Sequence, residues 1–362
     1  MDDCNYYHFQ GDCIKKAGQV ARIMPVLNIA MVGSDDLAKE IAKATDQRDV
    51  HTYVHKESGS DGPRILSIIR PAKYPERLRP FLNALSAAKV GMIEIIKIDA
   101  TLGEVVVAFA SAGIDKGLVI INPLQGEWVD EDQVKMIFKQ AGLGNWSFEG
   151  NDGIDLREKL YGLMDQVAGE LRAIQQAPLV LPVDQHFNVK GIGLVAIGYV
   201  QSGTVTVHDE LILLPANGEG NAKSLQVMDD DVVAAVAGDR VGLALRNAKE
   251  DHLGSGTILV HPAVEDKKTG MSIPLAVVQH NSSTMTLTRS PFQKRELAVG
   301  DIIHASADLQ FVVGRIESID GSDAIVNWES PIFIRRENPQ PTLIAQLDSR
   351  PRIMGNAILK LK

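Results

Sequence analysis

Basic side chains are concentrated near the carboxyl end of this 362-residue sequence. The last 28 residues carry six basic residues and two acidic ones, Glu337 and Asp348, so this stretch has a charge of +4 in a chain whose net charge is −9. A local basic surface of this kind can bind the phosphate backbone of a nucleic acid. The alternative is that these side chains lie on the edge strand of a solvated β-hairpin and prevent a strand of another chain from pairing with it. The basic residues are Arg335, Arg336, Arg350, Arg352, Lys360 and Lys362.

The overall composition excludes several classes of protein. With 45% hydrophobic and 23% charged residues and a negative net charge, the chain is globular and does not coat nucleic acid through bulk positive charge. Cys4 and Cys13 are its only cysteines, so disulfides, zinc sites and thiol catalysis are excluded from the rest of the chain. No apolar stretch reaches the roughly 20 residues of a spanning helix, and residues 1–23 lack the apolar core of a signal peptide. We therefore expect a cytoplasmic protein with no membrane partner and an N-terminal extension over residues 1–23.

Alternating strand and helix patterns predict an α/β domain over residues 24–176. The run Val-Leu-Asn-Ile-Ala-Met-Val from residue 26 is typical of a buried strand, and Gly33 leads into a helical repeat at Leu37 and Ile41. This alternation continues along the domain and is typical of a mostly parallel sheet with helices on both faces. Further strand patterns lie at 65–69, 92–98 and 118–121, and helical patterns lie at 78–88, 105–112, 134–141 and 153–175.

After Pro178 the pattern changes to short, Val-rich strands separated by glycine or aspartate turns. Seven such strands between residues 179 and 260 predict a closed β-barrel over residues 177–266. A charged break at residues 265–270 precedes a second all-β stretch from residue 273 to residue 361, which predicts another barrel over residues 267–362. The expected fold is therefore multidomain: an α/β domain followed by two β-barrels.

Two stretches of the first predicted barrel resemble a known family. Residues 181–203, which begin Leu-Pro-Val-Asp-Gln-His-Phe-Asn-Val-Lys-Gly-Ile-Gly, and residues 237–246, Ala-Gly-Asp-Arg-Val-Gly-Leu-Ala-Leu-Arg, resemble the second domain of translation elongation GTPases of the EF-Tu class. The turn at residues 190–193 and the sequence Ser-Leu-Gln-Val at 224–227 are most similar to the selenocysteine-specific branch, SelB. The resemblance implies a P-loop GTPase-like domain and two barrels that together carry aminoacyl-tRNA to the ribosome.

The α/β domain departs from this family at each of its nucleotide motifs. The phosphate loop, G-x-x-x-x-G-K-[ST], aligns with residues 33–40, where Gly33 and Lys39 match but Ala38 and Glu40 replace the second glycine and the Mg²⁺-binding hydroxyl. A carboxylate beside phosphate is electrostatically unfavourable. Arg-Pro-Ala-Lys-Tyr at residues 70–74 stands in place of Asp-x-x-Gly-His, and Asn122 remains from the guanine-binding N-K-x-D motif without its aspartate.

These departures predict weak or absent GTP binding and no hydrolysis. We expect no catalytic residue, no metal site and no cofactor; GTP and Mg²⁺ would bind only if the vestigial nucleotide site of Gly33, Lys39 and Asn122 still works. The structural alternative is that Gly33 makes the strand-to-helix turn, Lys39 is solvated and Asn122 caps a loop. The rival hypothesis is a working GTPase that has rebuilt its site.

The barrels keep plausible residues at the positions where the family contacts aminoacyl-tRNA. The resemblance places Asp184, His186 and Phe187 near the tRNA 3′ end. It also places Gln226 against the terminal adenosine and Arg240 against the aminoacyl group, where an arginine suits a polar or anionic amino acid. The alternatives are a turn-capping Asp184, a Phe187 in the barrel core and a His186 that is only a surface residue.

The basic stretch near the carboxyl end fits the same function. In the family a loop near the chain end contacts phosphates of the acceptor and T stems, and Asp-Ser-Arg-Pro-Arg at residues 348–352 resembles it. The resemblance therefore implies that Arg335, Arg336, Arg350 and Arg352 bind tRNA phosphates. Together these features predict a SelB-like carrier of a specialised aminoacyl-tRNA, with the ribosome as a further partner. The rival is a ribosome-associated or protein-interaction scaffold that has lost both ligands.

Overall fold

The computed structural model describes residues 25–48, 50–59, 62–266 and 271–361. The predicted extension over residues 1–23, both cysteines and Lys362 lie outside these ranges. Within them the chain forms an α/β domain and two β-barrels in that order, so the predicted fold class is confirmed. We call these three bodies the α/β domain, the first barrel and the second barrel.

The described part of the α/β domain is built on a sheet of seven strands: β1 (Val26–Val32), β2 (Lys43–Gln47), β3 (Val50–Gly59), β4 (Gly62–Pro71), β5 (Val90–Ile95), β6 (Gly117–Ile121) and β7 (Ser147–Glu149). Their spatial order is β2-β3-β4-β1-β5-β6-β7. The pairs from β4 through β1 to β7 are parallel, as predicted, whereas β2, β3 and β4 pair antiparallel. β2 and β3 were not predicted from the sequence, because their many polar side chains hide the strand pattern at this edge of the sheet.

Five helices flank the sheet within the described residues: α1 (Asp35–Ile41), α2 (Arg79–Ala87), α3 (Ala100–Ser111), α4 (Glu131–Gln140) and α5 (Gly153–Gln175). The side chains of Ser34, Asp99, Asp130 and Asp152 cap four of them by accepting hydrogen bonds from first-turn N–H groups. Side chains of α2, α3 and α4 pack on one face of the sheet, and those of α1 and α5 pack on the other. The helix predicted at residues 153–175 is confirmed in full. None of these helices is long and apolar enough to cross a membrane.

The first barrel has nine strands among the described residues: β8 (Leu181–Val189), β9 (Gly193–Tyr199), β10 (Thr204–Thr206), β11 (Glu210–Leu214), β12 (Gly218–Val227), β13 (Asp230–Val232), β14 (Ala234–Val236), β15 (Arg240–Arg246) and β16 (Ile258–Val260). Six of them close into a ring in the order β11-β16-β8-β9-β15-β12, because β11 also pairs with β12. Leu181, Val183, Leu243 and Leu259 fill its interior. β8 extends beyond the apolar residues that end at Val183 into the sequence Asp-Gln-His-Phe-Asn, which lacks an apolar pattern.

A hairpin of β17 (Val264–Asp266) and β18 (Met271–Ile273) connects the two barrels. The second barrel is closed by six strands: β19 (Val277–Arg289), β20 (Ile302–Ala307), β21 (Gln310–Asp320), β22 (Asp323–Arg335), β23 (Thr342–Ala345) and β24 (Ile353–Leu361). Their order around the barrel is β19-β22-β21-β20-β23-β24. The predicted boundary after residue 266 follows directly on β17, and residues 267–270 lie outside the described ranges.

A buried ion pair joins the α/β domain to the second barrel. Arg352, directly before β24, binds the carboxylate of Glu104 in α3 through its Nη2 (2.5 Å), its Nε (3.1 Å) and its backbone N–H (2.7 Å). The Tyr74 hydroxyl donates a further hydrogen bond to Glu104 Oε1 (3.0 Å). The Arg352 and Glu104 side chains are only 9% and 6% exposed. Because each charge has lost its water, it depends on its partner for compensation, and the pair fixes the two domains against each other.

Apolar side chains from both domains also pack together where the two domains meet. Leu78 and Phe81 of the α/β domain belong to the same buried cluster as Leu309, Leu343 and Ile353 of the second barrel. Domains that move freely usually meet through smaller and more polar surfaces. The seam between these two domains therefore has the character of a domain core.

Polar contacts tie the first barrel to the α/β domain. The Asn28 side chain in β1 donates to the carbonyl of Gly238 (2.7 Å). Arg79 in α2 donates to the carbonyl and the hydroxyl of Ser255 (3.2 and 3.1 Å). The α/β domain thus contacts both barrels at once.

We expect Glu104→Gln to lower the free energy of unfolding by about 3 kcal/mol at pH 7, because Arg352 then stays buried without its counter-charge. Burial by itself raises the pKa of Glu104, but the hydrogen bonds from Arg352 and Tyr74 outweigh it and lower the pKa below the ordinary value of 4.5. The stabilisation by the carboxylate is therefore fully present above pH 4.5 and is lost as the pH falls through the lowered pKa of the folded protein.

Urea denaturation of the wild-type protein and of Glu104→Gln, from pH 7 down through the lowered pKa of Glu104, measures the effect. Glu158→Gln, which removes an exposed carboxylate from α5, is the matched control and should leave stability unchanged. Equal stability of the wild-type protein and Glu104→Gln at pH 7 would contradict the prediction.

Candidate functional site

The connection after β1 is too short to wrap around a chain of phosphates. β1 ends at Val32 and α1 begins at Asp35, so only Gly33 and Ser34 lie between them. The Ser34 hydroxyl accepts a hydrogen bond from the N–H of Leu37 (3.1 Å) and caps the helix. Lys39, which the resemblance aligns with a phosphate-binding lysine, consequently lies in the last turn of α1 and not at its start.

A carboxylate of the chain itself fills the space beside this turn. Glu94 in β5 is 8% exposed, and it accepts hydrogen bonds from the N–H of Ser34 (2.5 Å) and the amide of Asn122 (2.8 Å). A Cβ added to Gly33 would lie 2.8 Å from the Cβ of Glu94, so glycine permits the close approach. Arg70 donates from Nε to the carbonyl of Gly33 (2.6 Å) on the same turn. Glu94 thus accepts the hydrogen bond from the Ser34 N–H that a phosphate at this turn would need.

Lys39 is also engaged inside the chain. Its ammonium group pairs with Asp35, one helical turn earlier, and Tyr53 donates its hydroxyl to the same carboxylate. The hydrogen bonds from Lys39 and Tyr53 lower the pKa of Asp35 to about 2, so this carboxylate is ionised at neutral pH. The structure therefore brings Gly33 and Asn122 together at Glu94 and leaves Lys39 apart from them at Asp35.

A cleft of about 1470 Å³ opens where the α/β domain and the two barrels meet. We call it the three-domain cleft. Among its described lining residues, two are acidic, Glu76 and Asp184, and six are basic. Even without Arg48 and Arg352, which pair with Asp46 and Glu104, the basic lining residues outnumber the acidic ones four to two, and this excess favours an anionic ligand. The basic lining residues are Arg48, Lys73, Arg77, Arg79, Arg350 and Arg352.

Two of the predicted tRNA 3′-end residues, Asp184 and His186, line this cleft. β8 shifts register between Val183 and Gln185, and such a bulge re-aims the side chain of the extra residue, Asp184. The Asp184 carboxylate accepts a long hydrogen bond from the Gln185 side chain (3.3 Å). Burial raises the pKa of Asp184 above its ordinary value, although the positive charge of Arg240 opposes the shift. Asp184 is therefore a partly desolvated carboxylate at the wall of the cleft.

The end of β2 reaches from the α/β domain onto this part of the first barrel. Asp46 contacts Arg240 Nη2 (3.1 Å) and Arg48 Nε (3.2 Å). The guanidinium of Arg48 lies 5.8 Å from the ring centre of Phe187, which is half-buried there and outside the barrel core. Arg240 is thus neutralised by an aspartate of the same chain. An anionic amino acid would have to displace Asp46 in order to pair with Arg240.

Gln226 lies on the outer face of the first barrel and does not line the three-domain cleft. In the sheet it pairs with Gly242, two residues after Arg240 in β15. Its exposed side chain donates to Asp231 (2.8 Å). The structure therefore places Gln226 on the strand beside Arg240, apart from Asp184 and His186.

The four arginines predicted to bind phosphates do not form one surface. Arg350 is exposed and lines the three-domain cleft, whereas Arg336 is exposed outside it. Arg335 is buried in an ion pair with Asp308 (2.9 Å), and Arg352 is buried in its pair with the α/β domain. Both buried arginines are engaged inside the protein, so Arg336 and Arg350 are the exposed members of the four. A count of charges along the sequence does not separate buried ion pairs from exposed cations.

Two features of the site were missed from the sequence although signals were present. Residues 70–80 contain four basic residues against one acidic residue, and Lys73, Arg77 and Arg79 of this segment line the cleft. Glu94 is a carboxylate in a strand, Val-Gly-Met-Ile-Glu-Ile, that is buried along its whole length. A buried acidic residue requires internal partners, which is a reason to look for a structural role.

Known proteins resemble the chain in sequence most clearly in the first barrel. Residues 193–260 match the family Elongation factor Tu domain 2. The selenocysteine-specific elongation factor of Methanocaldococcus jannaschii is 38% identical over 122 residues, which cover 33% of this chain and 26% of that protein. An uncharacterized protein of the same organism is 27% identical over 298 residues, which cover 82% of this chain and 88% of that protein.

Solved structures resemble nearly the whole chain in fold. The bacterial selenocysteine-specific elongation factor EF-Sec aligns with a TM-score of 0.74 and 18% identity, over 93% of this chain and 58% of that one. SelB from Methanococcus maripaludis in complex with the GTP analogue GPPNHP aligns with a TM-score of 0.71 and 19% identity, over 94% of this chain and 79% of that one. The resemblance to SelB-like elongation factors of the EF-Tu class is confirmed, and the chain spans only part of their length.

We expect Gly33→Ala to destabilise the α/β domain by about 1 to 3 kcal/mol, because the new Cβ is forced against Glu94. The matched control is Gly103→Ala in α3, where an added Cβ meets no atom within 4 Å and alanine favours the helix by about 1 kcal/mol. Thermal unfolding of both variants measures the difference. If Gly33→Ala proved as stable as the wild-type protein, Glu94 would not fill this turn.

Proposed function

We propose that this SelB-like chain is a translation elongation factor that binds a specialised aminoacyl-tRNA and does so without GTP. The observation that carries the proposal is the three-domain cleft, which joins positions that contact tRNA in the resembled family to a basic lining. One relative is named for its specificity for selenocysteine. A specialised cargo is therefore the class that we propose here.

The charge distribution supports RNA as the ligand of the cleft. Basic side chains such as Arg48, Lys73 and Arg350 line it, although the whole chain has a net charge of −9. The 3′ end of a tRNA is single-stranded, and basic grooves with aromatic rings bind single strands through phosphate contacts and base stacking. Phe311 supplies such a ring in the lining of the cleft, and Phe187 lies next to Arg48 outside the described lining.

The residues at the end of the first barrel favour an attached amino acid that donates hydrogen bonds. Asp46 neutralises Arg240, so a second anion gains little from this arginine. The partly desolvated carboxylate of Asp184 lacks a strong donor, since its bond from Gln185 is long (3.3 Å). An α-ammonium group or a donor-rich amino-acid side chain would compensate that carboxylate. We therefore assign recognition of the cargo to Asp184, with Arg240 holding Asp46 in place.

The occupied turn after β1 supports a mechanism without nucleotide. Glu94 accepts a hydrogen bond from the N–H of Ser34, and Asp35 pairs with the ammonium group of Lys39. A triphosphate would have to displace these internal partners and then lie among their carboxylates, which repel it. The rival GTPase with a rebuilt site requires Glu94 to leave the turn. The proposed carrier therefore works by binding alone, with no hydrolysis step.

We propose the ribosome as the second partner, because a carrier of aminoacyl-tRNA delivers its cargo to the ribosome. The proposed location is the cytoplasm, where translation takes place. The alternative is a ribosome-associated scaffold, which has the same fold and no affinity for tRNA. A narrower hypothesis, which nothing in the structure tests, is that the chain is the archaeal SelB-like factor called EF-Pyl. Binding of purified aminoacyl-tRNA to the protein separates the carrier from the scaffold.

We expect Arg350→Ala to weaken the binding of aminoacyl-tRNA and to reduce the salt dependence of the affinity by about one unit, since one phosphate contact is lost. Arg336→Ala is the matched control, because it removes another exposed arginine of the second barrel that lies outside the cleft. Fluorescence anisotropy with labelled tRNA at several salt concentrations measures both. Equal losses in the two variants would place the RNA elsewhere, and a wild-type protein without tRNA affinity would favour the scaffold.

A further inference from the structure

Two side chains connect the end of β2 with the carboxylate of Asp184 in β8. Arg48, directly after β2, donates from Nη1 to the side-chain oxygen of Gln185, and the Gln185 amide nitrogen donates to Asp184 Oδ2 (3.3 Å). We call these two hydrogen bonds the amide relay. We infer that Arg48 and Gln185 are positioning residues, which hold Asp184 in the orientation and charge state that an amino acid attached to tRNA requires. The inference rests on the proposed function, because that function assigns the attached amino acid to Asp184.

The chemistry of arginine decides which way the Gln185 side chain faces. A guanidinium group has donors only, whereas a glutamine amide has an acceptor oxygen on one side and a donor NH₂ group on the other. Arg48 therefore engages the oxygen of Gln185, and the NH₂ group is turned toward Asp184. Without Arg48 the amide is free to rotate and to place its oxygen against the carboxylate, where two acceptors repel each other.

Arg48 is itself held from two sides. Its Nε contacts Asp46 Oδ1 (3.2 Å), and the other oxygen of Asp46 contacts Arg240 Nη2 (3.1 Å). Its guanidinium group also lies 5.8 Å from the ring centre of Phe187. Although the Arg48 side chain is 55% exposed, these contacts limit the directions in which it can point. The contacts run from the first barrel to the α/β domain and back, so the α/β domain takes part in shaping the site around Asp184.

The amide relay leaves one oxygen of Asp184 for a ligand. Within the described residues, the Gln185 side chain is the only hydrogen-bond donor to this carboxylate, and it contacts Oδ2 alone. A hydrogen bond of 3.3 Å is long, so it orients the carboxylate more than it compensates the loss of water. Oδ1 is therefore the acceptor that an ammonium group or a donor side chain of the amino acid would use.

The groups around Asp184 carry charge of both signs. Burial raises the pKa of Asp184, and the positive charge of Arg240 and the hydrogen bond from Gln185 oppose this shift. Removing Arg48 takes away a further positive charge and releases Gln185, and both changes favour the neutral acid. The charged and titratable groups near Asp184 are Arg240 in β15, Asp46 and Arg48 at the end of β2, Tyr199 in β9 and His186 in β8.

Carboxylate NMR measures this effect without RNA. Aspartate labelled with ¹³C at the side-chain carboxyl group reports its own titration, and the signal that disappears in Asp184→Asn identifies Asp184. We expect its titration midpoint to move to higher pH in Arg48→Met and in Gln185→Met, and we expect Arg48→Lys, which keeps the positive charge, to move it less. Lys56→Met is the matched control, because Lys56 is another cation of the α/β domain that contacts the first barrel, at Asp230 (3.1 Å). It should leave the midpoint unchanged.

The binding of charged tRNA connects this effect with the proposed function. The probes are one tRNA in three forms: uncharged, charged with serine and charged with lysine. Because all forms share the same RNA, any phosphate contact of Arg48 cancels when the dissociation constants are compared as a ratio. We expect Asp184→Asn to abolish the preference for the charged forms, and Arg48→Met and Gln185→Met to reduce it by about three- to tenfold, the usual effect of one hydrogen bond. Lys56→Met should keep the preference, and circular dichroism verifies that each variant is folded.

The two measurements separate the inference from the function on which it rests. A wild-type protein that binds all three forms equally would overturn the assignment of the amino acid to Asp184, and the positioning role falls with it. A preference that Asp184→Asn abolishes but Arg48→Met and Gln185→Met leave unchanged would overturn the inference alone, and so would a midpoint for Asp184 that is the same in these two variants as in the wild-type protein. A higher midpoint together with a smaller preference in both variants would support it.

Discussion

The buried ion pair between Glu104 and Arg352 is the contact on which the rest of the structure depends. It fixes the α/β domain against the second barrel, and Tyr74 and the apolar seam support it. The three-domain cleft exists only in this arrangement, because its walls come from all three domains. Basic side chains gathered around a cleft repel one another, so a rigid frame is needed to hold them there before RNA arrives.

Three carboxylates of the chain engage groups that the sequence resemblance assigns to ligands. Glu94 accepts a hydrogen bond from a backbone N–H at the turn after β1. Asp35 forms an ion pair with Lys39, and Asp46 forms one with Arg240. Because these partners belong to the same chain, they bind without the loss of translational freedom that an external anion suffers. The α/β domain has the fold of the aligned part of SelB, and in our proposal it serves as one wall of an RNA-binding cleft.

The sequence was informative where apolar periodicity is strong and silent where polar side chains meet another domain. The helical repeat of apolar residues predicts α5 at residues 153–175, and the short Val-rich runs predict the barrels. β2 and the second half of β8 were hidden because their polar residues, among them Asp46 and Asp184, face the neighbouring domain. The partner of Arg352 stands 248 positions away along the chain, so a local count of charges could not reveal that this arginine is buried.

The central claim is that aminoacyl-tRNA binds without a nucleotide. The most direct measurement is the dissociation constant for aminoacyl-tRNA in the presence of a GTP analogue and Mg²⁺, in the presence of GDP and Mg²⁺, and without nucleotide, together with a calorimetric titration of GTP. A carrier of the proposed kind gives one dissociation constant under all three conditions and no binding heat for GTP. A micromolar or tighter dissociation constant for GTP, about −8 kcal/mol, or an affinity for tRNA that rises with the GTP analogue would contradict the claim.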